Sequence, residues 1–293
     1  MSWRAISLPR LLPRTKTAET GTRYSYSPRL ALSIAASILL GQKRAFSADA
    51  KQLLVGIQPE PRVENAHLIP PEDAFVVVTN HYYKPGYGVW WGIALITAAI
   101  VQARATSDEV IWLMTNRWTY PDALRRRLLT PITHLLFTRL AQIYGFVSMP
   151  PMPPQPQYLQ EGVRSVRQVL FLLSNAHSER KPLIGLAPEG RDSPDGSLIE
   201  PPPGSGRLLL HMANLGLKVL PVGVAEVDGV LTASFGPPFT LGSWPELSKE
   251  EQDRQASSQV MAAIGAQLPP TLWGVFATQI QKALFVNRIS TEQ

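Results

Sequence analysis

Short apolar runs rich in valine, isoleucine and leucine alternate with helical patterns along most of the chain. Residues 74–79, 110–114 and 183–187 are runs of strand length, and a segment with apolar residues at helical spacing follows each of them. Such alternation is typical of a layered domain, because each helix covers an apolar face of the sheet. We therefore predict an α/β fold, a layered sheet flanked by helices.

Two of the predicted strands end directly in polar residues. The run 74–79 is followed by Asn80 and His81, and the run 183–187 by Pro188, Glu189, Gly190 and Arg191. In open α/β sheets, ligands bind beyond the carboxyl ends of the strands. The 188–191 loop therefore has two interpretations. It is either an anion-binding loop, with a glycine that permits close approach and a guanidinium suited to phosphate, or an ordinary surface turn.

Charge and composition exclude several classes of site. The formal net charge is +6, and residues 1–29 hold six basic residues against one acid, so the remainder is almost neutral. A nucleic-acid-binding domain spreads its charge over the fold, so we expect no nucleic-acid partner; a binder led by the basic tail is the alternative. Cysteine is absent and no two of the five histidines stand at metal-ligand spacing, so we predict no metal site.

The chain divides into three predicted segments. Residues 1–29 are rich in arginine and serine and are expected to be a disordered or targeting segment. Residues 30–55 are expected to form an apolar or amphipathic helix on the domain or on a membrane surface, in preference to a cleaved signal. Residues 56–293 are expected to form the α/β domain. No run reaches the roughly 18 to 20 apolar residues that a membrane-spanning helix needs.

Four blocks stand in order along the chain. They are Asn80 with His81, the Pro-Glu-Gly-Arg sequence at 188–191, the glycines Gly196 and Gly204, and the strand with proline at 219–223. Over roughly residues 50 to 285 this order resembles the glycerolipid acyltransferases, the family that includes lysophosphatidic acid acyltransferase. The family's Pro-Glu-Gly-Thr-Arg block is matched without its threonine. The resemblance implies a glycerolipid-acyltransferase-like α/β domain.

The resemblance also implies a reaction. The family transfers an acyl group from a thioester of coenzyme A or acyl carrier protein to a hydroxyl, here on a lysophospholipid or related lipid acceptor in phospholipid biosynthesis. His81 is the implied general base, and Pro188, Glu189, Gly190 and Arg191 are the implied acceptor-binding residues, with no further cofactor. The implied partners are a membrane surface, the lipid acceptor and the acyl thioester donor. The implied location is peripheral, on the cytoplasmic side of a membrane, with a possible N-terminal targeting segment.

The chain departs from the family pattern beside His81. Gly86 stands where the family has the aspartate that orients the histidine. Asp192, Asp122 and Glu189 are the candidates to replace it, and the sequence does not rank them. Prolines also stand where the family has an arginine after a strand and a lysine before the glycine matched by Gly204.

Two functional classes follow from that departure. One is an acyltransferase with a substitute carboxylate, and the other is a non-catalytic lipid-binding or scaffolding protein on the same fold. A carboxylate within hydrogen-bond reach of His81 favours the enzyme. A cleft filled by tyrosine and tryptophan side chains favours the scaffold.

Aromatic residues are enriched after His81. They are Tyr82, Tyr83, Tyr87, Trp90, Trp91, Trp112, Trp118 and Tyr120. We predict core packing for them, with an acyl-chain groove or a membrane-interface belt as the alternative. The arginines at 125–127 are predicted to form a solvated helix face in preference to a lipid-headgroup patch. Sequences typical of phosphate-binding loops, dinucleotide folds, serine hydrolases and zinc proteases do not occur.

Overall fold

A computed structural model describes residues 21–104, 109–174 and 182–291. Its strands are β1 (Arg23–Tyr24), β2 (Ile57–Gln58), β3 (Arg62–Glu64), β4 (Phe75–Thr79), β5 (Val110–Thr115), β6 (Val147–Met149), β7 (Leu183–Leu186), β8 (Lys218–Val227) and β9 (Val230–Phe235). Its α-helices are α1 (Pro28–Leu40), α2 (Phe46–Leu54), α3 (Val89–Ala103), α4 (Ala123–Tyr144), α5 (Leu159–Ser174), α6 (Ser205–Asn214), α7 (Lys249–Gly265) and α8 (Ala277–Thr291). The strands predicted at 74–79, 110–114 and 183–187 are confirmed as β4, β5 and β7.

Seven of these strands form one sheet in the order β3-β9-β8-β4-β7-β5-β6. Strand β4 lies between β7 and β8 and runs parallel to both, and β5 and β6 extend the parallel set. Strand β9 returns antiparallel to β8 through Asp228 and Gly229, whose φ angles of 51° and 75° suit a tight hairpin turn. The predicted fold class, a layered α/β sheet flanked by helices, is confirmed.

The sheet separates two apolar clusters. On one face, Phe75 and Val77 of β4 share a cluster with Trp91 of α3. On the other face, Val76 and Val78 share a cluster with side chains of α5, α6 and α7. Successive residues of a strand point to opposite faces, so a strand covered by helices on both sides is apolar throughout. This explains why β4 is a continuous apolar run.

The N-terminal part of the fold differs from the sequence prediction. Residues 30–55, predicted as one helix, contain α1 and α2, because Gly41 ends α1 in the left-handed conformation with φ of 68°. Arg44 joins the two helices by binding Asp49 of α2 and the hydroxyls of Ser33 and Ser37 of α1. Residues 1–20 of the predicted targeting segment lie outside the described residues. In the described ranges, no helix has the length and hydrophobicity to cross a membrane.

Strand order explains how the two polar strand ends meet. Strands β4 and β7 are parallel neighbours, with Val78 opposite Leu186 in the register. Their carboxyl ends therefore lie side by side at one edge of the sheet. The backbone N–H of His81 and the side chain of Glu189, 108 positions apart in the sequence, are in direct contact there.

Candidate active site

His81 lies two residues beyond the last residue of β4, at the carboxyl edge of the sheet. The preceding residue, Asn80, is buried and ties this strand end to β8. Its Oδ1 accepts a hydrogen bond from Val224 N at 2.7 Å, and its Nδ2 donates to Val224 O at 2.9 Å. Because the backbone is anchored on this side, the imidazole projects from a fixed position, with 21% of the His81 side chain exposed.

The imidazole of His81 contacts a carboxylate. Its Nδ1 atom forms an ion-pair contact with Oδ1 of Asp192, from the loop that follows β7. The contact does not have the alignment of a straight hydrogen bond, and Nδ1 has no other polar partner among the residues that are described. A carboxylate at Nδ1 favours the tautomer that carries the proton on that atom. The Nε2 atom is then the basic nitrogen.

Of the three carboxylates considered from the sequence, Asp192 is the one at the imidazole. Asp122 instead caps α4, where its side chain accepts a hydrogen bond from Arg125 N at 2.8 Å. Gly86 has a φ of 86°, and a Cβ atom built there would meet nothing within 4 Å. An aspartate at that position would therefore face open space on a strained backbone.

The Glu189 side chain links the loop after β7 to the backbone at His81. The side chain is buried, with the residue 2% exposed, and its two carboxylate oxygens accept hydrogen bonds from His81 N and, at 3.0 Å, from Ile199 N. Burial raises the pKa of this carboxyl, and the two backbone N–H groups act in the opposite direction. Acceptor binding by Glu189 stays a prediction. In this structure its carboxylate positions the loop against the strand end that carries His81.

Two glycines let the loop after β7 fold down on its neighbours. Gly190 has a φ of 66°, and a Cβ atom there would approach the Met152 side chain to 2.9 Å. Gly196 has a φ of 77°, and a Cβ atom there would lie 2.6 Å from the carbonyl oxygen of Tyr83. Both positions therefore require glycine for backbone conformation and for space. The loop that carries Asp192 is held directly over the segment that follows His81.

The guanidinium of Arg191 is exposed and forms no ion pair within the described part of the chain. The sequence offered Asp192 and Asp195 as internal partners, but Asp192 contacts His81 instead. Asp195 accepts hydrogen bonds from Ser193 and Ser197, and the bonds from Ser197 lower its pKa. Arg191 is thus an exposed cation, adjacent in the sequence to the residue that contacts the imidazole.

The chain was compared with family models, curated proteins and solved structures. No family model and no curated protein matches the chain. A search of solved structures finds similarity to the crystal structure of the 1-acyl-sn-glycerophosphate (LPA) acyltransferase PlsC from Thermotoga maritima, with 16% sequence identity and a TM-score of 0.46. The match covers 80% of this chain and 81% of that chain. A fold does not by itself specify a reaction, which depends on the residues of the site.

The backbone N–H groups at the start of α6 are already bonded to a carboxylate of the chain. Gly204, one of the two glycines matched to the family pattern, precedes α6 with a φ of 97°. Asp253 of α7 accepts hydrogen bonds from Gly204 N at 2.7 Å and from Arg207 N at 2.8 Å. A carboxylate of the chain itself therefore occupies the positive end of this helix. The start of α6 is therefore taken up by a contact within the chain, whereas Arg191 is exposed.

A buried cluster beside the site was not predicted from the sequence. The Tyr24 hydroxyl donates to Oε1 of Glu226 at 2.6 Å, and Lys84 Nζ contacts Oε2 at 2.5 Å. Burial, followed by the hydrogen bond to Glu226, raises the pKa of Tyr24, which therefore stays a neutral donor. No local sequence pattern could have indicated contacts between residues so distant in the chain.

The aromatic residues after His81 divide between core and surface. Trp91 and Trp112 are buried, as predicted, and Trp112 Nε1 donates to Thr97 Oγ1 at 3.0 Å. The prediction of core packing is wrong for Trp90 and Trp118, which are exposed at 36% and 45%. In the described ranges, no group of three or more histidine, aspartate or glutamate residues is arranged to hold a metal ion.

Proposed function

We propose that the chain is an acyltransferase that moves a fatty acyl group from a thioester of coenzyme A or acyl carrier protein to a hydroxyl of a lysophospholipid or related lipid acceptor. The observation that supports this most is the contact of His81 Nδ1 with Asp192 Oδ1, in a loop that also carries the exposed Arg191. A histidine oriented by a carboxylate at the carboxyl edge of a parallel sheet is equipped for general base catalysis.

His81 would act through Nε2. As the acceptor oxygen attacks the thioester carbonyl carbon, Nε2 takes the hydroxyl proton, and Asp192 stabilises the imidazolium that forms. When the tetrahedral intermediate collapses, the bond from carbon to sulfur breaks and Nε2 returns the proton to the thiolate. The products are an ester and a free thiol, and His81 is neutral again.

Arg191 would bind the anionic part of the acceptor. Its planar guanidinium suits phosphate oxygens, and it lies next to Asp192 in the loop that contacts the imidazole. Lipid acceptors reside in membranes, so we further propose that the chain acts as a peripheral protein on the cytoplasmic side. The alternative of a non-catalytic scaffold has less support, since a carboxylate does contact His81.

A substrate panel tests the proposal. The purified full chain would be incubated with acyl-coenzyme A or acyl carrier protein thioesters and with lysophospholipid, glycolipid and simple alcohol acceptors. Mass spectrometry would follow ester formation, and a thiol reagent would follow release of the carrier. We expect ester and thiol in equal amounts with at least one lysophospholipid. A folded chain that forms no ester with any pair contradicts the proposal.

Replacing Arg191 with alanine is expected to raise the KM for a phosphate-bearing acceptor by roughly ten- to a hundredfold, with a much smaller effect on kcat, because a charge-assisted contact is lost in both ground and transition states. Steady-state kinetics against a neutral alcohol acceptor should show little change. The matched control is Arg167→Ala, which removes an exposed arginine from α5. An equal rise in KM for the neutral acceptor would exclude a phosphate contact.

A further inference from the structure

Helix α4 turns large apolar side chains toward solvent. Four residues spaced four, four and three positions apart form one exposed stripe, here named the α4 stripe: Leu124, Leu128, Ile132 and Leu135. Their exposed fractions are 65%, 56%, 61% and 62%. This spacing puts all four on one face of a helix with 3.6 residues per turn.

Few residues of α4 are buried, and two of the four are threonines. The four buried residues are Thr130, Thr133, Ala141 and Ile143. Thr133 Oγ1 accepts a hydrogen bond from Trp118 N at 3.1 Å and donates to Thr130 O at 3.1 Å. A helix that only covers a core has the opposite arrangement, with its apolar stripe inward. A row of large apolar side chains in water marks an interaction surface.

Basic side chains surround the α4 stripe. Helical geometry places Arg125 on one side of it and Arg127 on the other, and Arg139 continues the same face one turn beyond Leu135. All three are exposed. The acidic residue beside them is Asp122, which caps the helix. Its Oδ2 atom lies 3.5 Å from Nε of Arg125. This pattern of apolar residues flanked by cations fits the interface of an anionic lipid bilayer.

A neighbouring helix adds to the same kind of surface. Helix α1 packs against α4. In the segment just after α1, Lys43 Nζ donates to Gln142 O at 2.6 Å and Arg44 N donates to Ile143 O at 2.8 Å. The outward side chains of α1 include Leu32, Leu39 and Leu40, with exposed fractions of 72%, 83% and 70%.

We propose that the α4 stripe, with Arg125, Arg127 and Arg139, docks the protein on an anionic lipid bilayer. A second copy of the chain fits less well, because a twofold contact between two α4 stripes would bring the arginines of both copies together.

Helix α4 begins after the carboxyl end of β5, at the sheet edge that carries His81. Docking would therefore put this edge near the lipid, and it does not depend on the proposed reaction.

Vesicle binding of the full chain tests this surface. The probes are vesicles of equimolar phosphatidylcholine and phosphatidylserine, and vesicles of phosphatidylcholine alone. Leu128→Glu with Ile132→Glu is expected to reduce partitioning onto the anionic vesicles at least tenfold, since two charges would enter the apolar interface. Arg125→Gln with Arg127→Gln should reduce binding to anionic vesicles roughly tenfold, with a smaller change on neutral ones.

The control replaces two exposed apolar residues on the opposite layer of the fold, Phe171→Glu with Val275→Glu, and is expected to bind within twofold of wild type. All substituted positions are exposed, and circular dichroism and thermal unfolding would check the fold of each variant. Absence of wild-type binding, or equal loss in the control, would overturn the proposal. So would a wild-type dimer, seen by analytical ultracentrifugation, that the α4 variant abolishes, because a second copy would then occupy the face.

Discussion

Replacing Asp192 with asparagine is expected to lower kcat for acyl transfer by roughly 10²- to 10³-fold, with little change in KM. Asparagine cannot stabilise the imidazolium of His81 by charge, and its amide group can present either a donor or an acceptor to Nδ1. The tautomer with Nε2 as base is then no longer favoured. The expected loss is smaller than for a buried triad aspartate, because 51% of the Asp192 side chain is exposed.

Steady-state kinetics over a range of pH would measure this effect. The Asp192→Asn variant should show a lower kcat at every pH, because the amide cannot stabilise the imidazolium by charge. Asp122→Asn is the matched control, since asparagine also caps helices well and Asp122 lies at the start of α4. A variant with wild-type kcat and pH profile would mean that Asp192 does not orient His81.

The second large effect is expected on stability. Replacing Glu189 with alanine should lower the free energy of unfolding by about 2 to 4 kcal/mol, because the backbone N–H groups of His81 and Ile199 lose their acceptor in a largely buried place. The energetic cost of burying a carboxylate, shown by the raised pKa, is relieved by the same substitution and keeps the loss moderate.

Urea unfolding followed by circular dichroism would measure the Glu189→Ala change. Glu200→Ala, an exposed glutamate further along the same connection, is the control and should stay within about 0.5 kcal/mol of wild type. Glu189→Gln retains one acceptor and should fall between the two. If Glu189→Ala were as stable as wild type, the carboxylate would not brace the loop, and a contact with substrate would become the better explanation of its position.

The sheet could be predicted from the sequence because its strands are strongly apolar and bounded by polar residues or turns. Strand β4 is buried on both faces, and a short continuous apolar run is typical of such a buried parallel strand. Helix α7 also has a local signal at its start, because Ser248 and Glu251 form a capping box from residues three positions apart in the sequence. Helix α8, which follows Pro269 and Pro270, has a weak apolar period and was not predicted.

The two α1 and α2 segments show where local patterns are insufficient. The sequence pattern predicted one helix, but Gly41 ends α1 and a second helix begins at Phe46. Arg44, between the two helices, binds Asp49 of α2. The apolar residues of α5 recur at helical spacing, yet the first two of them, Leu159 and Val163, are more than half exposed.

Only part of the candidate site could be predicted from the sequence. His81 and the 188–191 loop stand out because each follows a buried strand. Choosing Asp192 among three carboxylates required the knowledge that β7 is adjacent to β4, and strand order depends on contacts far apart in the chain. The brace formed by Glu189 also depends on that adjacency.

The most direct test of the proposed function compares ester formation by wild type and by the His81→Ala variant. Both would receive the same acyl thioester and lysophospholipid, with products quantified by mass spectrometry and the fold checked by circular dichroism. We predict that wild type forms the ester and that the variant retains at most about 1% of its rate, the effect of losing a general base. Equal rates in the two proteins, or no ester from a folded wild type, would contradict the assignment of His81 as the base of an acyltransferase.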